Sequence, residues 1–265
     1  MQQKFYFLTG FPRAGNTLLS TILNQNKDIA ATGHSYVTQV FFNLEIIKDD
    51  SKYNYFKTED NLKELQKNIF FNFYKKWKQK YVIDRGEWAT PFNYNILKQY
   101  CPNKIKLIFL VRDPIEVIKS FLDVANNHRN FYINQQYNDI DKTTLHRSEI
   151  EEKIELITKK GSLFDWSCMA YNFIKNNKDV LFIDYNSLIK NPKDNINKIY
   201  SFLEIPKFKH DFNITKQLSI NNIMYDDSIL KAPLHTIKMG KLKKTTYDHI
   251  KIPNHIVEKY KNFIS

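Results

Sequence analysis

The stretch TGFPRAGNTLLSTIL, residues 9–23, follows the apolar run FYFL (5–8) and sets the frame for the rest of the chain. Gly10 and Gly15 bracket four residues, with Asn16 and Thr17 next, giving G-x-x-x-x-G-N-T. Leu18, Leu19, Ile22 and Leu23 then recur at the i, i+4 spacing of an amphipathic helix. A strand, a glycine-bounded loop and a helix in that order can cradle an anion, because the first amides of a helix have no intrahelical acceptor. A nucleotide-phosphate loop would carry lysine where Asn16 stands, with the following hydroxyl on Mg²⁺. Here the positive charge sits inside the loop, at Arg13. One guanidinium plus backbone N–H donors suits a phosphosulfate bridge, which needs less neutralisation than a terminal phosphoryl group. No metal is expected. The plainer alternative is a tight β–α turn whose arginine faces solvent.

Working outward, YVID (81–84), KIKLIFLV (104–111) and VLFID (180–184) are also continuous in hydrophobicity rather than alternating. Strands covered on both faces read this way. Leu62, Leu65, Ile69, Phe73 and Trp77 mark a helix within 61–78, and Ile196, Ile199, Tyr200 and Leu203 mark another from Lys193. Asp113-Pro114 reads as an N-cap followed by proline at the first helical position, opening IEVIKSFLDVA. The alternation predicts an α/β fold, a P-loop-like three-layer sandwich around a central, mostly parallel sheet of about four or five strands. No long linker or repeat divides residues 1–265, so a single domain is expected. Segments 126–148 and 206–250 read as irregular chain wrapping the ligand edge, beyond the carboxyl ends of the strands.

Composition narrows the class. A hydrophobic fraction of 42% supports a sizeable core, and only 6 Gly and 8 Pro argue against a disordered chain. Cys101 and Cys168 are too few and too far apart for a disulfide scaffold or a structural zinc site. The apolar run near the N-terminus is too short for a signal sequence, and no stretch approaches the ~18 apolar residues of a membrane span. A cytoplasmic enzyme is expected. The net charge of +12 favours anionic partners. The lysines are grouped at Lys75, Lys76, Lys78, Lys80 and at Lys238, Lys241, Lys243, Lys244, without zinc-finger spacing or an arginine-rich arm. Nucleic acid is therefore not the expected partner.

The segment KIKLIFLVRDPIEVIKSFL places Arg112 at a strand end and Ser120 on the next helix, where the two can converge on one phosphate. Asp113 is explained as the helix cap or an arginine partner. Together, GFPRAGNTLL and FLVRDPIEVIKS resemble the two signatures of the sulfotransferases that use 3′-phosphoadenosine 5′-phosphosulfate (PAPS). A third family feature resembles LFIDYNSLIKNP followed by IYSFLEIP. KHDF (209–212) and PLHTIKMGK (233–241) are similar to a microbial and viral branch, itself distantly similar to the protein-tyrosine sulfotransferases. The resemblance runs from residue 4 to about residue 245.

That resemblance implies transfer of a sulfuryl group from PAPS to a hydroxyl acceptor, in line, leaving adenosine 3′,5′-bisphosphate (PAP). It implies that Arg13, Ala14, Gly15, Asn16, Thr17 and Leu18 surround the 5′-phosphosulfate, and that Arg112 and Ser120 bind the 3′-phosphate. Tyr185 would lie near that phosphate or the adenosine, and Lys238 and Lys241 would belong to a basic segment closing over it, anchored by Leu234 and Ile237. Ala14 and Asn16 depart from the commoner Ser and Thr, and the late segment lacks the full RKGxxG of the cytosolic branch.

For the chemistry, Arg13 would supply charge at the bridging oxygen, and Arg85, in YVIDRGEW, matches a lysine position of related enzymes. Arginine can stabilise charge there but stays protonated. Its alternative role is an ion pair with Asp84 or Glu87. His34, in AATGHSY, is the preferred general base, since an imidazole suits proton transfer near neutrality; its alternative is a structural hydrogen bond. Asp84 and His128 compete for the role, and His146, His210 and His235 have weaker positional claims. The acceptor cleft is expected from 35–60, 86–94 and 126–160, with Tyr36, Phe41, Phe42, Trp88, Phe92, Phe131 and Tyr132 either lining it or forming core. The acceptor could be a small molecule, a carbohydrate, a lipid or a tyrosyl peptide, the basic surface mildly favouring an acidic one. The rival functions are a nucleotide or small-molecule kinase and a non-catalytic nucleotide- or RNA-binding protein.

Overall fold

A computed structural model of the chain describes residues 3–49, 59–141, 147–232 and 234–264. Its central sheet contains β1 (Lys4–Gly10), β2 (Ile29–Ala31), β3 (Tyr81–Arg85), β4 (Leu107–Val111) and β5 (Val180–Asp184). The spatial order is β2-β3-β1-β4-β5, with every pairing parallel. Around it lie α1 (Asn16–Leu23), α2 (Val37–Asp49), α3 (Glu59–Phe73), α4 (Pro91–Tyr100), α5 (Pro114–Asn127) and α6 (Tyr132–Asn138). Then come α7 (Glu149–Thr158), α8 (Leu163–Ile174), α9 (Tyr185–Lys190), α10 (Pro192–Leu203) and α11 (Asn254–Tyr260). Four two-residue strands, β6 (Asn213–Ile214), β7 (Ser219–Ile220), β8 (Ile223–Met224) and β9 (Gly240–Lys241), form two small antiparallel pairs. The expected α/β sandwich is therefore present.

Side chains alternate across the sheet as a pleat requires. Phe5 and Phe7 of β1 meet Phe70 and Phe71 of α3, with Trp88 closing the same layer. Phe109 of β4 packs against Tyr171 of α8 and Phe182 of β5. On the opposite side, the Asn26 amide after α1 donates to Tyr200 of α10 at 3.1 Å. Burial of these rings supplies the main driving force for the fold.

Three details differ from the sequence reading. β2 is a strand of three residues, too short to stand out as an apolar run. The third apolar run, 104–111, enters the sheet only at Leu107; Lys106 just before it is buried, with Nζ 2.7 Å from both Glu204 and the Phe202 carbonyl. Within 126–148, residues Tyr132–Asn138 are helical rather than irregular. The helix caps agree with expectation: Asp113 accepts from the amides of Ile115 (2.7 Å) and Glu116 (3.2 Å). No helix among the described residues is long and apolar enough to cross a membrane.

Candidate active site

The chain runs from β1 to β2 and β3 on one side, then crosses to β4 and β5 on the other. That leaves a switch point between β1 and β4, where the carboxyl ends of parallel strands leave a crevice. The residues following all five strand ends gather there, in two clusters.

The first cluster is built around the loop of residues 10–15. Gly10 must be glycine, because a Cβ there would run into the backbone of Leu110 on the neighbouring strand. Gly15 has φ 84°, and its missing side chain leaves room for the Tyr185 ring 3.1 Å from where a Cβ would sit. Arg13 also adopts a left-handed φ of 62°, a conformation costing ~1–2 kcal/mol for a side-chain-bearing residue. Its carbonyl is held there by Nη1 of Arg112. The Arg13 guanidinium donates through Nε to Ser120 Oγ at 3.1 Å and through Nη1 to the Leu234 carbonyl. Ser120 Oγ in turn lies 3.0 Å from the Tyr247 hydroxyl. Arg112 stacks over Tyr185 at 4.5 Å and faces Tyr247 at 5.6 Å.

Arg112 is 3% exposed, yet its Nε and Nη2 have no hydrogen-bond partner among the described residues. The Glu116 carboxylate is 4.0 Å from Nη2, too far for a hydrogen bond. A buried guanidinium with two unused donors is costly unless an anion completes it. Burial lowers the pKa of Arg13, opposed by Tyr247 and reinforced by Arg112. An added anion would relieve both arginines. Asn16 turns its amide inward, donating to the Phe11 carbonyl at 2.9 Å, so its side chain braces the loop. Ala14 and Thr17 are buried and Leu18 is half-buried. What this loop offers an anion is the set of first-turn amides of α1. Lys238 and Lys241 are exposed, beside a segment pinned by reciprocal Gln217–Ile237 hydrogen bonds of 2.8 and 2.9 Å. Ile237 is buried and Leu234 packs against the core.

The second cluster surrounds Arg85 at the end of β3. Its guanidinium donates to the Gly33 carbonyl, and burial lowers its pKa. Neither Asp84 nor Glu87 forms an ion pair with it among the described residues. Asp84 is not at the crevice: strand alternation turns it into the core, where it accepts from Tyr74 Oη, Ser35 Oγ (2.7 Å) and Trp88 Nε1 (2.7 Å). Burial raises its pKa, so Asp84 is a structural carboxyl and no competing base. His34, exposed on one side, has Nδ1 3.9 Å from Glu87 Oε1. Desolvation and then Arg85 lower its pKa, while Glu87 opposes them.

His128 caps the far end of α5, its carbonyl taken by Phe131 and Asn134. His210 bonds Tyr200 at 2.9 Å in the layer beneath α1. His146 lies outside the described residues. Three residues of the crevice carried little or no weight in the sequence: Glu87, two positions beyond Arg85; Tyr247, with no local signal; and His235, next to Leu234. Asp227 Oδ2 accepts from the His235 amide at 2.7 Å and lies 3.4 Å from His235 Nδ1.

Between the clusters lies a cleft lined by Thr9, Gly10, Pro12, Arg85, Glu87 and Thr90, facing Leu163 and Trp166 of α8. The far wall is thus α8, beyond the expected 126–160 segment. Among the aromatic candidates, Phe41, Trp88 and Phe131 are core. Tyr36, Phe42, Phe92 and Tyr132 are exposed, and Phe42 meets Phe92 edge-on at 5.4 Å, with Phe92 two residues beyond Thr90.

These features can be set beside known proteins. No curated protein sequence matches the chain. Among solved structures, it is similar to the sulfotransferase domain from the curacin biosynthetic pathway, at 15% identity over 99% of this chain and 92% of that one, TM-score 0.50. It is also similar to the sulfotransferase domain of the Synechococcus PCC 7002 olefin synthase, at 15% identity over 91% of each chain, TM-score 0.51. A sulfotransferase from Alicyclobacillus acidocaldarius gives 13% identity over 82% of this chain and 87% of that one, TM-score 0.50. At such identities the likeness is one of fold. The family model described as the sulfotransferase domain, however, matches residues 4–264. The chain therefore belongs to the sulfotransferase domain family and is an enzyme of that class.

Proposed function

We propose that the protein transfers a sulfuryl group from PAPS to a hydroxyl acceptor, by in-line displacement and without a metal, as a single catalytic domain. The observation that carries this reading is the buried Arg112 with two unpartnered donors, set beside Arg13, Ser120 and Tyr247. Such a fork suits a phosphate dianion. When bound, the donor supplies the sulfuryl group: the acceptor oxygen–sulfur bond forms as the bridging bond breaks, its electron pair leaving on PAP.

The chain's own residues divide the remaining work. Arg112, Ser120 and Tyr185 hold the 3′-phosphate, with Lys238 and Lys241 closing over it. Gly15, Asn16, Thr17 and Leu18 offer backbone amides to the 5′ side, with Ala14 shaping the loop. Arg13 and Arg85 supply positive charge around the departing oxygen. His34, beside Glu87, accepts the acceptor's proton. The inward turn of Asn16 supports transfer of sulfuryl over phosphoryl, since no lysine reaches for a terminal phosphate. The apolar wall of Leu163 and Trp166 supports an acceptor with an apolar body, whether a small molecule, a lipid or a tyrosyl peptide. KHDF and the PLHTIKMGK segment support the microbial and viral branch, and a cytoplasmic location is part of the same reading.

The test is transfer of labelled sulfate from PAPS to a panel of phenols, alcohols, sugars and tyrosyl peptides in EDTA. Transfer that falls about a hundredfold in H34N, typical of losing a general base, supports the reading. Absence of transfer to every acceptor, with magnesium-dependent phosphoryl transfer in its place, overturns it.

A further inference from the structure

The second cluster contains an imidazole with little support from local sequence pattern. His235 reaches the crevice from the late irregular segment, far along the chain from β3. Its backbone is fixed on three sides: its amide donates to Asp227, the preceding carbonyl accepts from Arg13, and Ile237 is clamped by Gln217. Its ring packs edge-on against Tyr225 at 5.3 Å. Tyr225 in turn fills the space beside Gly33, 2.7 Å from where a Cβ would sit. Gly33 precedes His34 and receives the Arg85 guanidinium through its carbonyl. His34, Arg85, Tyr225 and His235 therefore form one contiguous group.

We propose that His235, backed by Asp227, is a second imidazole of the transfer site, receiving from His34 the proton that His34 takes from the acceptor hydroxyl and releasing it to solvent. The inference rests on the sulfotransferase reading and extends it to the late segment. The Asp227 carboxylate at Nδ1 favours the tautomer protonated there, leaving the Nε2 lone pair as the base. The proton passes from the acceptor oxygen to His34 as that oxygen bonds to sulfur, so an alkoxide need not form first, and then moves on to Nε2 of His235. Its surroundings keep the ring neutral. The charged and titratable neighbours are Asp227 and Tyr225 on its own segment, Arg85 from β3, Arg13 from the first loop, and His34 after β2. Burial, then Arg85, with smaller contributions from Arg13 and His34, push its pKa down to about 4, against Asp227. Nδ1, buried and without a hydrogen-bond partner among the described residues, lies 3.4 Å from the carboxylate and needs only a small ring rotation to reach it.

The test combines two readouts on the full chain. Imidazole titrations by NMR need no donor or acceptor. His235 is expected to titrate well below 6.5, lower still in D227N, and higher in H34N, because a neighbouring cation is lost. Steady-state transfer from PAPS is expected to lose roughly tenfold to a hundredfold in kcat in H235N, with PAP affinity unchanged and H128N as active as wild type. D227N serves as the second variant should H235N fail to fold, with a smaller loss of kcat. An ordinary His235 titration indifferent to H34N, or an H235N enzyme with wild-type kcat, overturns the inference while leaving the transferase reading intact. A wild type that transfers no sulfuryl group overturns both.

Discussion

The arginine cluster and the imidazole cluster lie on the same sheet edge but are built differently. Arg112 is almost wholly enclosed and Arg13 half-buried; Arg112 holds the Arg13 carbonyl and stacks on Tyr185, while Arg13 is braced by Ser120. A guanidinium offers fixed positive charge and no acceptor. His34, Glu87 and His235 are partly open to solvent and come from turns and irregular chain. The two imidazoles carry a charge that responds to pH. On the proposed reading, one half of the crevice is an anion cradle and the other a proton-handling surface. A donor common to the family can be held by the first, while the second can vary with the acceptor.

The sharpest way to break this contrast is Arg112→Ala. It removes two unused buried donors, each worth about 1.5–3 kcal/mol to a charged partner, so PAP affinity should drop at least a hundredfold by calorimetry. Retention of wild-type affinity would place the anion elsewhere. Ser120→Ala should cost less, about tenfold, because Arg13 and Tyr247 remain. A change in acceptor KM with no change in PAP affinity would instead assign Ser120 to the other half. Trp166→Ala should raise acceptor KM several-fold, consistent with losing part of an apolar wall, and leave PAP binding untouched. If PAP affinity falls as well, the two halves are not separable.

Acid offers a gentler separation. His210 and His235 have folded-state pKa values lowered by desolvation first, and the more exposed His34, screened by solvent, adds little. For such groups the unfolded chain takes up protons below about 6.5 while the folded chain does not. Stability is fully present above 6.5 and is lost as pH falls toward about 4, the value for His235. Denaturant titrations at pH 7 and pH 5 should differ by roughly 1–2 kcal/mol, with H235N showing a smaller difference. A chain equally stable at both pH values would contradict neutral burial of these rings.

How much of this was legible follows the same division. The cradle is local: glycine spacing, an arginine in the loop, and Arg112 at a strand end with Asp113 capping the next helix all lie within two short segments. β2 escaped because three residues carry too little pattern, and α6 because its polar composition hides the period. Asp84 misled because apolar neighbours marked the strand but not which face each residue takes. Glu87 had a signal, its distance from Arg85. Tyr247 and His235 had almost none, since their places depend on how an aperiodic segment folds back over the sheet. The exposed Leu163 and Trp166 likewise sit in a helix whose outward face only tertiary packing reveals.

The central claim is that the cradle recognises a 3′-phosphate. Calorimetric titration in EDTA with PAP, ADP and 5′-AMP tests it most directly. Tight binding of PAP, with ADP and 5′-AMP at least tenfold weaker, a gap of about 1.4 kcal/mol, is the expected result. Equal affinity for ADP, or binding that appears only when magnesium is added, would contradict the account.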